Sequence, residues 1–473
     1  MKNVYAYIET KREKVQYRPV KERLLDYKEV ELHRNPVLIE KQAGRCMNCG
    51  TPFCHSSCPL GNYIPEWNDL AKEGKWKEAW ERLSITSPFP EFTGRLCPAL
   101  CEGGCVLGIN DDPVTIRQNE LDIIENAFKM GYVKPKLIEK RTGKKIAIIG
   151  SGPAALSAAH YLNRKGHFVE VIERSAKPGG FLRYGIPDFK LDKSIIDRRI
   201  NLMKEEGIVF TCNTEIGKTK DTYKLLRDYD AVILACGTRS CRTMDVKGSS
   251  NPSVIQAVTY LSASNKAVSG EETLSSQLCA FGKKVVVIGG GDTGSDCVGT
   301  ANRQGAASVH QIEIMDKLSE SRPISQPWPE FPRLYKFTSS HEEGVTQDYC
   351  VLTKSFEETP EGKLKGLHCV KVLWDTSSGK PVMKEIENSS FFIEADMVIL
   401  AMGFTGAEDS SMLKELGLTL SPRSVVDTDA EYKTSVQGIF ACGDMRRGQS
   451  LIVHALTEGK NTASSVDQWL RGR

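Results

Sequence analysis

The sequence predicts an α/β protein in which two tandem Rossmann-like nucleotide-binding domains follow an α-helical, cysteine-bearing domain. Three observations lead there. A glycine-rich turn joins an apolar strand to a helix within residues 144–174, the same pattern recurs from Lys284, and seven of the 15 cysteines fall between Cys46 and Cys105.

In the first copy, residues 146–149 make a short apolar run, the pattern of a buried parallel strand, and Gly150, Gly152 and Ala155 follow in a G-x-G-x-x-G/A turn. Residues 154–165 read as a helix that Gly166 stops. A second apolar strand over 168–172 ends in Glu173, about twenty residues past the turn, as dinucleotide folds require. Gly150 allows the tight turn, Gly152 lets backbone approach a pyrophosphate, and small Ala155 packs helix on sheet. The helix N-terminus faces the phosphates, and Glu173 can hold a ribose 2′-OH.

In the second copy, residues 284–294 carry Gly289, Gly291 and Gly294, with a helix predicted over 296–304 and a strand over 308–314 that contains Glu313. Two dinucleotide sites in one chain imply two nucleotides, and chemistry between such a pair is normally hydride transfer from nicotinamide to flavin. A duplicated fold with one dead site is the plainer alternative. It is disfavoured because each copy keeps its glycines and its acid.

Cys46, Cys49, Cys54 and Cys58 are spaced C-x2-C-x4-C-x3-C and followed by Pro59, and Cys97, Cys101 and Cys105 are spaced C-x3-C-x3-C. Zinc would need four ligands in two pairs, and seven cysteines do not divide that way. Close thiolates ending in Cys-Pro favour [4Fe-4S] clusters. Two such clusters need one ligand more than the thiolates supply. Residues 115–130 read as a helix with Ile116, Ile123, Ile124, Ala127 and Phe128 on one face, and Glu120 falls on that stripe. A buried carboxylate needs a partner: a metal is one, a basic residue the more ordinary other.

Residues 1 to about 40 read as a polar, partly helical lead-in without recognisable chemistry. Residues 65–83 carry Trp67, Trp76 and Trp80 at helical spacing broken at Gly74, most simply as core. Past Glu173, Gly179 and Gly180 permit close backbone approach. Apolar runs at 229–237 and 395–403 echo each other, so the second nucleotide domain is expected to be inserted into the first. The expected limits are 1–140 for the helical domain, 141–240 and 405–473 for the first nucleotide domain, and 241–404 for the second. Residues 439–444 are the expected closing strand, with Asp444 at the N-terminus of a final helix over 451–470.

Composition narrows the function. Forty per cent hydrophobic residues, a net charge of +3 and no long apolar run exclude a nucleic-acid stripe and a membrane span. The first thirty residues lack the apolar core of a secretion signal, so a cytoplasmic, reducing location is expected, where cysteines bind metal or stay reduced.

The motifs RCMNCGTPFCHSSCPLGNYIPEWNDL, FPEFTGRLCPALCEGGCVLGI, PVTIRQNELDIIE, GGFLRYGIPDFKL and GIFACGDMRRGQSLIVHALTEG span nearly the whole chain. With them the sequence resembles the small (β) subunit of glutamate synthase and, more widely, the adrenodoxin-reductase-like flavin and iron–sulfur module also seen in dihydropyrimidine dehydrogenase, which implies glutathione-reductase-like tandem nucleotide domains. The resemblance implies a crossed ligation: Cys46, Cys49, Cys54 and Cys105 on one cluster, Cys58, Cys97, Cys101 and Glu120 on the other. It also implies FAD at Gly150, Gly152, Glu173, Gly180, Leu182, Gly443 and Asp444, and NADH or NADPH at Gly289, Gly291, Asp292, Thr293 and Gly294. Where bacterial relatives tend to carry an arginine pair suited to a 2′-phosphate, this chain has Ile314 and Met315, and residues 322–332 look more like the eukaryotic NADH-dependent form. NADH is therefore the expected donor.

The implied function is that of a subunit in a hetero-oligomer. It oxidises NAD(P)H at FAD and passes electrons through its clusters to a large (α) subunit that makes glutamate from glutamine and 2-oxoglutarate. The chain shows no amidotransferase cysteine at its start and no FMN barrel of its own. A stand-alone NAD(P)H oxidoreductase reducing ferredoxin, polysulfide or another acceptor is the second reading, and a non-catalytic electron-wire subunit the third. A disulfide-reductase role for Cys236 and Cys241 is disfavoured, since the pair follows a late strand instead of opening a helix at the flavin.

Overall fold

A computed structural model describes residues 5–472, apart from 378, 380 and 409. The strand Lys145–Ile149 lies at the centre of a five-stranded parallel sheet, between Phe168–Ile172 and Ala231–Leu234. Val209–Thr211 forms one edge and Ile439–Ala441 the other. The central strands are nearly continuous in apolar residues because helices cover both faces of such a sheet. One is Pro153–Arg164, with Pro153 in its first turn, where its missing N–H costs nothing. Beside it on the same face lies the final helix Ile452–Arg471, while Leu225 of Tyr223–Asp228 and Met412 and Leu413 of Ser411–Glu415 pack on the opposite face. Pro153–Arg164 and Ile452–Arg471 touch at Gly459, where a β-carbon would lie 2.2 Å from the Ala154 carbonyl oxygen.

A second five-stranded parallel sheet repeats this plan around Lys284–Ile288, flanked by Ser308–Ile312 and Met397–Leu400, with Val254–Gln256 and Thr346–Asp348 at the edges. All of its strands come between the fourth and fifth strands of the first sheet in sequence. Where the chain leaves and returns, Ser240–Cys241 and Phe404–Gly406 pair as a short antiparallel ribbon.

An antiparallel sheet of Val351–Glu358, Leu364–Asp375, Val382–Glu385 and Phe391–Glu394 was not anticipated from the sequence. Its Phe356, Leu367, Cys369 and Ile393 pack with Val286, Ile312 and Val398 of the second parallel sheet, covering a face that a crossover helix would otherwise bury.

The cysteine-bearing region is a stack of short helices around Ile64–Ala71, Trp76–Ser84, Pro90–Leu96 and Ile116–Lys129. Trp67 is fully buried, and Trp76 and Trp80 pack against the same core. The lead-in does more than its sequence suggests. Arg34 pairs with Asp122, the Val30 N–H donates to the Phe189 carbonyl (3.0 Å), and buried Arg23 reaches Glu342 and Glu343 beyond the second sheet.

The helical region meets the first sheet's helices through Arg199 and Glu91, 4% and 0% exposed, joined by two hydrogen bonds of 2.5 and 3.1 Å. Removing one member of such a pair leaves an uncompensated charge, whereas an apolar pair of similar volume is close to neutral. Arg199→Met should cost about 3–5 kcal/mol, read as a lowered first transition in calorimetry. Arg199→Met with Glu91→Leu should recover most of the loss.

Candidate nucleotide and cysteine sites

A cavity lies at the carboxyl ends of the first sheet's strands, lined by Gly150, Gly152, Glu173, Gly180, Leu182 and Asp444 among others. Gly150 has φ +98°, and a β-carbon there would lie 2.5 Å from the Ala235 carbonyl oxygen. A β-carbon on Gly152 would meet nothing within 4 Å, so this backbone faces open cavity at the start of Pro153–Arg164. At Gly180 (φ +54°) it would lie 2.8 Å from the Gly152 Cα, so two backbone segments converge on one helix N-terminus. Ala155 is fully buried between helix and sheet. Gly443 approaches Ala154, and its N–H donates to Glu458 on the final helix (2.9 Å). The set fits a dinucleotide: free N–H groups and a helix dipole for the pyrophosphate, and an acid for the ribose.

Glu173 is held by two donors, the Ser151 hydroxyl (2.5 Å) and the Ser175 N–H (2.8 Å). Ser151 and Glu458 are site-shaping residues that the sequence reading missed; Ser151 occupies a variable position of the fingerprint, and Glu458 is one more polar residue on a long helix. Asp444 corrects that reading. It opens a separate short helix, Asp444–Arg447, that ends at Gly448, and the long helix starts only at Ile452. Burial pushes the Asp444 carboxyl up to about 6, opposed by hydrogen bonds from Ser450.

A larger cavity runs along the second sheet, lined by Gly289, Gly291, Asp292, Thr293 and Glu313. Gly294 lies at the helix–strand contact, where a β-carbon would be 2.2 Å from the Gly289 carbonyl oxygen. The helix begins at Asp292, earlier than the sequence suggested, which puts Asp292 and Thr293 in its first turn. The preceding strand stops at Ile312, so Glu313 is free to turn back and accept from the Gly290 N–H (2.6 Å) and the Met315 N–H (3.0 Å). Tyr335 and Lys336 line the same cavity from a distant segment that no motif marks. Tyr335 donates to Gln347, Gln347 to Gln311, and Gln311 to the Gly289 carbonyl, tying that segment to the glycine turn. The two cavities share Phe181, Ile186, Asp444, Ser450 and Ile452 as a common wall.

The cysteines line two smaller cavities. Cys46, Cys49, Cys54 and Cys105 surround one; Cys58, Cys97, Cys101 and Glu120 surround the other. Ile64 and Ile116 belong to both walls. Among the described residues no three acidic, histidine or cysteine side chains stand close enough to share a single ion. Zinc would draw its sulfurs to about 2.3 Å from one centre, whereas ligands spread around a cavity wall suit a polynuclear cluster. Burial raises the thiols, Cys46 and Cys97 to about 12 and Cys101 well above the ordinary value, so thiolates here need a compensating cation such as a metal. Glu120 is pushed up to about 7 by burial, opposed by the Thr93 and Ser87 hydroxyls, which donate to Oε1 at 2.8 and 3.2 Å. Among the described residues no donor is seen on Oε2, which leaves that oxygen for a ligand. Val453 also lines this second cavity, next in sequence to Ile452 of the nucleotide cavities. Cys236 and Cys241 are both free thiols.

Two nucleotide cavities with a common wall, backed by paired cysteine cavities, define a pyridine-nucleotide oxidoreductase with an iron–sulfur module. Residues 144–459 match the pyridine nucleotide-disulphide oxidoreductase family, and residues 23–132 match domain II of dihydropyrimidine dehydrogenase, the 4Fe-4S cluster domain. The fold is similar to that of FprA from Mycobacterium tuberculosis, with TM-score 0.57 at 18% identity over 70% of this chain and 85% of that one. The glutamate synthase [NADPH] small chain of M. tuberculosis is 48% identical over 96% of this chain and 93% of its own length, and that of Bacillus subtilis 42% identical over 99% and 98%. Glutamate synthase [NADH] of Schizosaccharomyces pombe is 42% identical over 99% of this chain but only 23% of its own length. The chain belongs to the glutamate synthase small-subunit family and is an NAD(P)H-dependent oxidoreductase. Among the described residues no helix is long and apolar enough to cross a membrane.

The contact between Gly180 and Gly152 gives a direct check on the first cavity. Gly180→Ala forces a β-carbon into the Gly152 backbone and should cost about 1–3 kcal/mol. The expected result is a flavin-to-protein absorbance ratio reduced to half or less, with iron content unchanged.

Proposed function

We propose that this chain takes hydride from NADH and delivers single electrons to a large glutamate synthase subunit, which forms glutamate from glutamine and 2-oxoglutarate. Residues 141–240 with 405–473 hold FAD, the inserted residues 241–404 hold the nicotinamide dinucleotide, and residues 1–140 hold two [4Fe-4S] clusters, in a cytoplasmic hetero-oligomer. The observation that carries this reading is the succession of shared walls. Ile452 belongs to both nucleotide cavities, Val453 beside it belongs to the Glu120 cavity, and Ile64 and Ile116 join that cavity to the one of Cys46. Bound flavin supplies the conversion of a two-electron hydride into single electrons, which clusters carry one at a time.

The protein's own part is positioning. Ser151 and the Ser175 N–H orient Glu173 toward a ribose, and the Gly290 and Met315 N–H groups do the same for Glu313. Thr93 and Ser87 orient Glu120 toward the cavity of Cys58, Cys97 and Cys101. Among the described residues of the cavity wall we assign no acid, base or nucleophile to hydride transfer, because the reacting atoms belong to the two nucleotides. A large partner is supported by the fission-yeast relative, in which the part matching this chain is under a quarter of one longer polypeptide.

The choice of NADH rests on Glu313. Its carboxylate can accept from a ribose 2′-OH but repels a 2′-phosphate, and Ile314 and Met315 bring no cation. Relatives of both nucleotide names match this chain at comparable identity, so identity alone does not decide. NADH should exceed NADPH in kcat/KM for flavin reduction by about tenfold, a difference of about 1.4 kcal/mol. Lys336→Ala should widen that gap, since Lys336 is a cation in the same cavity; equal or better use of NADPH by the wild type would refute the assignment.

Eight ligands in two cavities predict about eight iron and eight acid-labile sulfide per chain after anaerobic reconstitution; four iron at full occupancy would remove one cluster from the account. Glu120→Ala should lose one cluster's spectroscopic signal and keep the other. The isolated chain should reduce artificial acceptors with NADH but form no glutamate until a large subunit is added. Cys58→Ser or Cys97→Ser should leave flavin bleaching by NADH largely intact while glutamate formation in the complex is lost.

A further inference from the structure

The helix Asp292–Arg303, which would receive the nicotinamide dinucleotide's pyrophosphate, begins with an electrostatic conflict. Its N-terminal dipole attracts an anion with about half a unit charge. Yet Asp292 opens the first turn and Asp296 follows one turn later, and both line the cavity that the anion would enter. Two carboxylates outweigh the dipole. The cation that answers them comes from the first nucleotide-binding region: Lys190, in the segment after Gly185, ion-pairs with Asp296 and lines the same cavity. Its charge also faces Asp292 and the Tyr17 phenol, and it bears on His341. Lys193 stands near Asp296 too, but its ammonium is committed to the Ile186 and Leu191 carbonyls and to Asp188.

Lys190 is held in place by its neighbour. Phe189 is buried against the same helix at Gly299, where a β-carbon would lie 2.9 Å from the ring, and the Arg303 guanidinium lies 3.8 Å from the ring centroid. The Arg303–Glu343 pair, 0% and 1% exposed, is sealed within the second nucleotide-binding region, whereas the Lys190 side chain keeps 23% of its surface exposed and lines the cavity.

We propose that Lys190 is a positioning residue for the nicotinamide dinucleotide: supplied from the flavin side, it cancels the Asp296 charge so that the helix can accept a pyrophosphate. NAD(H) affinity is thereby tied to the docking of the two nucleotide-binding regions. The inference rests on the reading of this cavity as the nicotinamide site.

The test uses the flavin- and cluster-loaded protein, with NAD+ binding measured by titration calorimetry and flavin bleaching by NADH measured in stopped flow. Lys190→Met should weaken NAD+ binding about tenfold or more, with the flavin spectrum and the bleaching rate at saturating NADH within about twofold of wild type. Lys190→Arg should bind as wild type. Lys190→Met with Asp296→Asn should recover most of the affinity, because the two charges leave together, and Asp296→Asn alone should bind at least as tightly as wild type. Wild-type affinity in Lys190→Met, or a double variant as weak as the single one with its flavin spectrum intact, would overturn the proposal. Should Lys190→Met fail to fold, weaker binding in Asp296→Asn alone would overturn it equally. If the wild type itself bound no NAD+, the site reading would fall and this inference with it.

Discussion

The packing of Ile452–Arg471 on Pro153–Arg164 is the contact on which the other sites depend. It is close because Gly459 has no side chain and Ser157 donates to the Leu456 carbonyl (2.7 Å). It brings the end of the chain back to the first fingerprint and fixes Ile439–Ala441 as the fifth strand. The same helix presents Glu458 to Gly443, Ile452 to the nucleotide cavities and Val453 to the Glu120 cavity. One helix end is therefore the junction between nucleotide chemistry and the cysteine module.

The modules are joined by ions as well as by apolar surface. Glu91 with Arg199 links the helical region to the first sheet's helices, Arg23 with Glu343 and Arg303 links the lead-in to the second, and Lys190 with Asp296 spans the two nucleotide-binding regions. Buried pairs of this kind add little net stability, since desolvation offsets attraction, but a shifted docking would strand a charge. They thus favour one relative placement of the modules, the one in which their cavities share walls.

Much of this was legible in the sequence because dinucleotide fingerprints are local: Gly150 and Gly289 are required by a turn, and Glu173 and Glu313 by a fixed distance from it. The insertion was legible from two matching apolar runs, at 229–237 and 395–403. The division of the cysteines was not, because spacing along the chain says nothing about Cys105 crossing to the cavity of Cys46; only the family resemblance suggested it. The antiparallel sheet escaped notice because Leu364–Asp375 buries residues in an irregular pattern, without the alternation that marks a half-buried strand. The lead-in looked idle since buried arginines such as Arg23 read as surface until their partners, more than three hundred residues away, are in view. Tyr335 and Lys336 sit in a segment whose position depends on a hydrogen-bond relay through Gln347 and Gln311, which no local motif encodes.

The central claim is that electrons from the nicotinamide reach the cysteine cavities only by way of the first nucleotide cavity. The most direct measurement compares the cluster EPR signals that NADH produces in flavin-loaded protein and in protein stripped of flavin but holding its full iron. The account predicts rapid cluster reduction in the first and oxidised clusters in the second, with the signal restored when FAD is added back. Cluster reduction by NADH at an undiminished rate without flavin would contradict it.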